Sequence, residues 1–70
     1  MAASGHPWLL TLEQLVARVR GEFGQPAADC VLLLAYLRGI ADDDLLEPET
    51  IRSLLVRCAL PWEDFGLDPN

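Results

Sequence analysis

Apolar residues recur near the start of the chain at three- and four-residue spacing: Leu12, Leu15, Val16, Val19 and Phe23. That period places them on one stripe of a helix, with Glu13, Gln14, Arg18 and Glu22 on the opposite side. The start of this helix is written in Thr11-Leu12-Glu13-Gln14, a capping box. In such a box the Thr11 hydroxyl accepts from the Gln14 amide and the Gln14 side chain reaches back to the Thr11 amide. Leu10, just before it, can staple onto Leu15. Arg20 and Gly21 loosen the last turn, and Gly24 supplies a left-handed stop. The pattern predicts a first helix from Leu12 to about Phe23.

Beyond Gly24 the pattern changes. Pro26 suits the first position of a new helix, where its missing N–H costs nothing. Asp29 in the first turn complements the helix dipole. From Ala27 to Leu37 the chain is apolar almost all the way round. Spaced at helical intervals, Ala27, Cys30, Val31, Leu34 and Leu37 make one face, and Asp29, Leu32, Leu33 and Tyr36 make a second. A helix with two apolar faces needs cover on both. It is expected to end at Arg38, before Gly39.

Ile40 to Glu47 is expected to be a connector with a short helical turn, capped by Asp42-Asp43-Asp44 and pinned inward by Leu45-Leu46. Glu47 precedes a proline and is pushed out of the α region. Pro48 opens a third helix to about Ala59. Its stripe is Ile51, Leu54, Leu55, Cys58 and Ala59, at i, i+3, i+4, i+7 and i+8. Glu49, Arg52, Ser53 and Arg57 point outward, and Glu49 can pair with Arg52, worth a few tenths of a kcal/mol. Leu60-Pro61 ends it. The tail from Pro61 to Leu67 has the makings of one further turn, with Trp62, Phe65 and Leu67 as its apolar members. Met1 to Pro7, small and polar, is expected to be a flexible arm. The fold expected is all-α: a small three-helix bundle with a short fourth helical turn at the C-terminus, one domain over residues 1–70, and the second helix at its centre.

Composition narrows the partners. A chain of 70 residues has room for one domain, and at 51% hydrophobic it has ample apolar material to order itself. Eleven Asp and Glu oppose five basic residues, a formal net charge of −6. That balance repels phosphate backbones, so direct nucleic-acid binding is not expected. All five basic residues are Arg and none is Lys, alongside abundant Ala, Leu and Pro. This points to GC-rich coding and a bacterial or phage source. The first residues lack a basic n-region, so no signal peptide is expected. The longest apolar run, Cys30 to Leu37, is eight residues, against the ~20 needed to span a bilayer. No membrane association is expected, and the localisation expected is cytoplasmic.

Candidate chemistry is sparse. His6, Cys30 and Cys58 are the only soft metal ligands, and zinc wants four in paired short spacings. No metal site and no cofactor is expected. Both cysteines lie on helical core stripes, and they are expected as buried free thiols, with a bridge between them the less favoured alternative. Asp42, Asp43, Asp44, Glu47 and Glu49 form the densest acidic patch. They lack the alternation and the glycine of a calcium loop, so a cap and a solvated connector is the favoured role. No nucleophile arrangement or phosphate-binding loop is present, so the chain is not expected to be an enzyme. A helix-turn-helix would place Glu47-Pro48-Glu49 against the bases, with only Arg52 and Arg57 outward, which opposes DNA binding.

What remains is protein–protein interaction. The stripes of the first and third helices can cover one face of the second. They leave Leu32, Leu33 and Tyr36 wanting cover from the aromatics Trp8, Trp62 and Phe65 or from another molecule. Trp62 and Phe65 are expected to fold back on the core, the alternative being that they anchor in a partner's groove. The function expected is that of a small non-catalytic accessory protein. It would bind a larger protein, or itself as a homodimer, through Leu32, Leu33, Tyr36, Trp62 and Phe65. The alternative is an acidic inhibitor that blocks a nucleic-acid-binding site on an enzyme through Asp42, Asp43, Asp44, Glu47 and Glu49.

Overall fold

The computed structural model describes residues 10–65. The expected arm Met1–Pro7, Trp8 and Leu67 lie outside the described residues, as do the side chains of Asp64 and Phe65. In chain order the elements are β1 (Leu10–Thr11), α1 (Leu12–Phe23), α2 (Gln25–Leu37), β2 (Leu45–Leu46), α3 (Pro48–Arg57) and a 3-10 turn (Trp62–Phe65). The protein is mostly helical, with three α-helices and one very short antiparallel pairing, Leu10 opposite Leu46 and Thr11 opposite Leu45.

The start of α1 explains that pairing. The Thr11 amide donates to Gln14 Oε1 at 3.0 Å, and the Gln14 amide donates to Thr11 Oγ1 at 3.1 Å, the two arms of the capping box. Two amides remain, and the connector takes both. Leu12 N–H donates to the Asp44 carbonyl at 3.1 Å and Glu13 N–H to the Asp42 carbonyl at 3.0 Å. The N-terminal donors that a helix cannot satisfy internally are thereby all partnered. The acidic run serves α1 through its main chain, and Asp44 shapes the run itself. Its amide donates to the Ala41 carbonyl at 3.1 Å, and its Oδ2 accepts from the Ala41 amide at 2.8 Å.

The helical turn expected within 40–47 is therefore corrected to a turn followed by β2. Leu46 is buried while Leu45 is 67% exposed, because successive residues of an extended segment point to opposite faces. Both leucines had been expected inward.

A single residue, Gly24, joins α1 to α2. Its φ of 96° lies where side chains are disfavoured, so glycine is required. Its amide donates to the Arg20 carbonyl at 3.0 Å, and its carbonyl accepts from Ala28 N–H at 3.2 Å. So short a link folds α2 directly back on α1, and these two helices share the largest interface in the fold. The buried residues of α2 are Ala28, Val31 and Ala35, with Ala27, Leu32 and Leu34 half-buried against the core.

The expected core face of α2 is corrected accordingly. Val31 is buried as expected, but Cys30 is exposed and Leu37 is 83% exposed. At a close helix crossing the small side chains occupy the line of contact and the larger ones are displaced to its flanks. Hydrophobicity alone ranks leucine above alanine, and so places the face one step round the helix.

Opposite this pair, α3 supplies Ile51, Leu54 and Leu55, all fully buried, and β2 supplies Leu46. No polar side chain is buried among the described residues. None of the helices described is long and apolar enough to cross a membrane.

Both α2 and α3 end in the same device. In α2, Gly39 N–H donates to the Tyr36 carbonyl and Ile40 N–H to the Ala35 carbonyl, each at 3.0 Å. In α3, Ala59 N–H donates to the Val56 carbonyl at 3.0 Å and Leu60 N–H to the Leu55 carbonyl at 2.9 Å. This is the Schellman arrangement, in which the residue just past the helix adopts a left-handed conformation. Ile40 and Leu60 each pack partly on the core beside their helix. The helix expected to reach Ala59 thus stops at Arg57, and Ala59 leaves the apolar stripe for the turn, exposed.

Gly39 takes the left-handed position in α2 with a φ of 80°, but α3 has Ala59 there at a φ of 59°. A left-handed alanine costs roughly 1–2 kcal/mol, and glycine gives back part of this gain in chain entropy. Ala59→Gly is expected to stabilise the fold by about 0.5–1 kcal/mol. The check is a higher urea midpoint at an unchanged m value.

Candidate functional site

The site begins from what the α1–α2 crossing leaves uncovered. Leu33 is 64% exposed, Tyr36 48% and Leu37 83%. Residues at i, i+3 and i+4 share one side of a helix, so these three make a contiguous apolar face at the C-terminal half of α2. Its far end is fixed by the Arg38-Gly39-Ile40 turn described above.

Tyr36 is the polar member of this face. Its hydroxyl donates to Asp42 Oδ1 at 2.6 Å. That hydrogen bond raises the phenol above its ordinary pKa, followed by desolvation and by the negative charge of Asp42. The bond also ties the connector across the end of α2 and orients the ring. On the side facing α1, Tyr36 and Leu32 edge a shallow groove of about 240 Å³ whose other walls are Glu13, Val16, Ala17, Arg20 and Asp42. The second face expected for α2 is therefore divided. Leu32 is half-buried in the groove beside α1, Leu33 and Tyr36 stand open, and Asp29 accepts from Gln25 Nε2 at 2.7 Å at the start of the helix. Leu37 belongs with the open residues and was missed by assignment to the core. The signal for it was its i, i+4 relation to Leu33.

Trp62 lies elsewhere. It is half-buried against the core, and the Arg52 guanidinium sits 5.0 Å from the centre of its ring, within cation–π range. Arg52, expected beside Glu49, is turned to the tail instead. Phe65 belongs to the same 3-10 turn by its backbone.

The acidic residues divide as well. Asp42 is engaged with Tyr36 and Asp44 with the Ala41 amide, whereas Asp43, Glu47 and Glu49 are exposed. Asp44 and Glu47 border a second open groove of about 340 Å³, shared with Ile40, Leu45, Leu46 and Thr50. Among the described residues no group of three or more His, Cys, Asp or Glu side chains is placed to hold a metal ion.

The two cysteines were expected as buried thiols on the core stripes. Cys30 is in fact exposed and Cys58 half-buried, and both are free. Their Sγ atoms are 2.7 Å apart and share a hydrogen bond. Burial pushes the Cys58 thiol up to about 12, with the hydrogen bond to Cys30 and the charge of Cys30 adding to it.

The chain matches no known protein family, no curated protein and no solved structure. The functional reading rests on the residues themselves.

Proposed function

We propose that this protein is a small non-catalytic interaction factor, built as a compact helical bundle and of bacterial or phage origin. It binds a larger protein, or a second copy of itself, through the open face of α2. One observation carries the reading: Leu33, Tyr36 and Leu37 are large, adjacent along one side of α2 and exposed. Contiguous exposed apolar surface is a mark of an interaction site. Anchors at i, i+3 and i+4 suit a partner groove or a facing helix. Asp42, bonded to Tyr36, adds an acidic margin that favours a basic rim on the partner.

The acidic-inhibitor reading has less support. Two of the five carboxylates it needs already accept hydrogen bonds within the protein, Asp42 from the Tyr36 hydroxyl of α2 and Asp44 from the Ala41 amide of the connector.

The test is Leu33→Asp. The variant is expected to keep its helical circular dichroism and melting temperature. It should lose self-association in sedimentation, or weaken capture of its partner at least about tenfold, as for loss of an interface anchor. Complexes that survive the substitution unchanged would remove α2 from the interface. A wild-type complex that dissolves steeply with salt would favour the carboxylates instead.

A further inference from the structure

We propose that Cys30 and Cys58 form a redox-active dithiol site, which low-molecular-weight disulfides convert to an intramolecular disulfide tying α2 to α3. The site is independent of the docking face, although Cys30 lies one turn before Leu33 on the same helix. Its first support is distance. The two Sγ atoms are 2.7 Å apart, closer than sulfurs in mere van der Waals contact, so bond formation needs little movement. Its second is the rigidity of both backbones. Cys30 lies in the middle of α2. Cys58 closes α3, its amide donating to the Leu54 and Leu55 carbonyls at 3.1 Å each, immediately before the Schellman turn. Two thiols that are 28 positions apart in sequence are thus brought face to face by regular structure.

Their environments differ in a way that assigns roles. Cys30 is exposed and open to a reagent, while Cys58 is half-buried behind it. Cys30 is therefore the attacking sulfur and Cys58 the resolving one. The Cys30 thiolate attacks one sulfur of a disulfide such as glutathione disulfide. The S–S bond of the reagent breaks, one glutathione thiolate leaves, and a mixed disulfide forms on Cys30. Cys58 then gives up its proton and attacks the Cys30 sulfur, displacing the second glutathione thiolate. The two protons lost by the cysteines end on the two leaving thiolates. Two protein thiols and one glutathione disulfide become one protein disulfide and two glutathiones. Excess glutathione runs the sequence backwards.

The consequence follows from where the staple falls. The α2–α3 contact is much smaller than that between α1 and α2. The bridge would close the loop containing the C-terminal half of α2, the connector, β2 and all of α3, which restricts the unfolded chain far more than the folded one.

The experiment equilibrates the full chain, without air, across a series of glutathione and glutathione disulfide ratios. Trapping with N-ethylmaleimide and intact-mass measurement then report the thiols. Expected is a monomer lighter by two hydrogens that takes up no maleimide and returns to two maleimide adducts with excess glutathione. Its melting temperature should rise by on the order of 10 °C. Cys58→Ser should stop at the mixed disulfide on Cys30. Because the wild-type masses decide the outcome, a misfolded variant would not blunt the test. The proposal is overturned if wild type accumulates a lasting glutathione adduct, forms disulfide-linked dimers, or keeps both thiols reactive throughout. A bridge that forms without raising the melting temperature would overturn the staple.

Discussion

Val31→Asp is expected to abolish cooperative folding. Val31 is fully buried in the core, and no buried polar side chain accompanies it among the described residues. A carboxylate there would have no partner, and an unpaired buried charge costs several kcal/mol even after relaxation. Total stabilities run about 5–15 kcal/mol, and a domain this short lies toward the low end. The loss, more than about 4 kcal/mol, is therefore comparable with everything that holds the fold. Leu37→Asp, the same chemical change six positions along α2, is the matched control. Leu37 is 83% exposed, and its replacement should stay within about 0.5 kcal/mol of wild type. Urea titrations followed by circular dichroism compare the two. If Leu37→Asp unfolds the protein and Val31→Asp does not, the orientation of α2 described above is wrong.

Ala35→Phe is the second large effect, and it tests the spacing of the helices. Ala35 is fully buried. Its carbonyl also accepts from Arg38 N–H and Ile40 N–H, each at 3.0 Å, in the turn that ends α2. A phenyl ring at a position with no exposed surface must displace its core neighbours. Overpacking of a filled core costs up to about 3 kcal/mol and occasionally more. Here the ring would also push against the turn that carries Ile40 to the core. Expected is a urea midpoint lowered by a corresponding amount. By contrast, Leu33→Ala, which removes a larger side chain from the same helix, should leave the midpoint nearly unchanged. A periodicity argument ranks the two positions the other way round, so the pair separates packing from hydrophobicity.

Much of the fold was legible before any coordinates. The capping box at Thr11 and Gln14, the stripe Leu12, Leu15, Val16 and Val19, and Pro48 at the start of α3 are local signals, and each appears where it was read; α2 begins at Gln25, one residue before the Pro26 expected to open it. The trio Ile51, Leu54 and Leu55 likewise needed only a helical period. These features depend on residues within one or two turns of each other, and the chain encodes them directly. The left-handed end of α2 at Gly39 belongs to the same class. The matching end of α3 was obscured because alanine, not glycine, fills it.

The candidate site was legible only in part. Leu33 and Tyr36 were recognised as surplus apolar residues, since the stripes of the first and third helices cannot cover a helix that is apolar all round. Leu37 was not, and Leu32 and Trp62 lie partly against the body of the protein. The reason is that alanine carries little weight in a hydrophobic pattern but much in a close crossing. The connector misled for a related reason. Its acidic side chains suggested a helix cap, whereas the carbonyls of Asp42 and Asp44 are what α1 uses, and carbonyls are the same in every residue.

By itself, then, the sequence determined three helices, their starts and the excess of apolar surface on the second. Those follow from short-range sterics, capping and periodicity. Only the tertiary structure decided which side of α2 carries the excess, that Leu10-Thr11 pairs with Leu45-Leu46, and that Cys30 meets Cys58. Each depends on how far apart two helices or segments come to rest, and that distance is set by the sizes of side chains from both partners at once. No single stretch of the chain contains it.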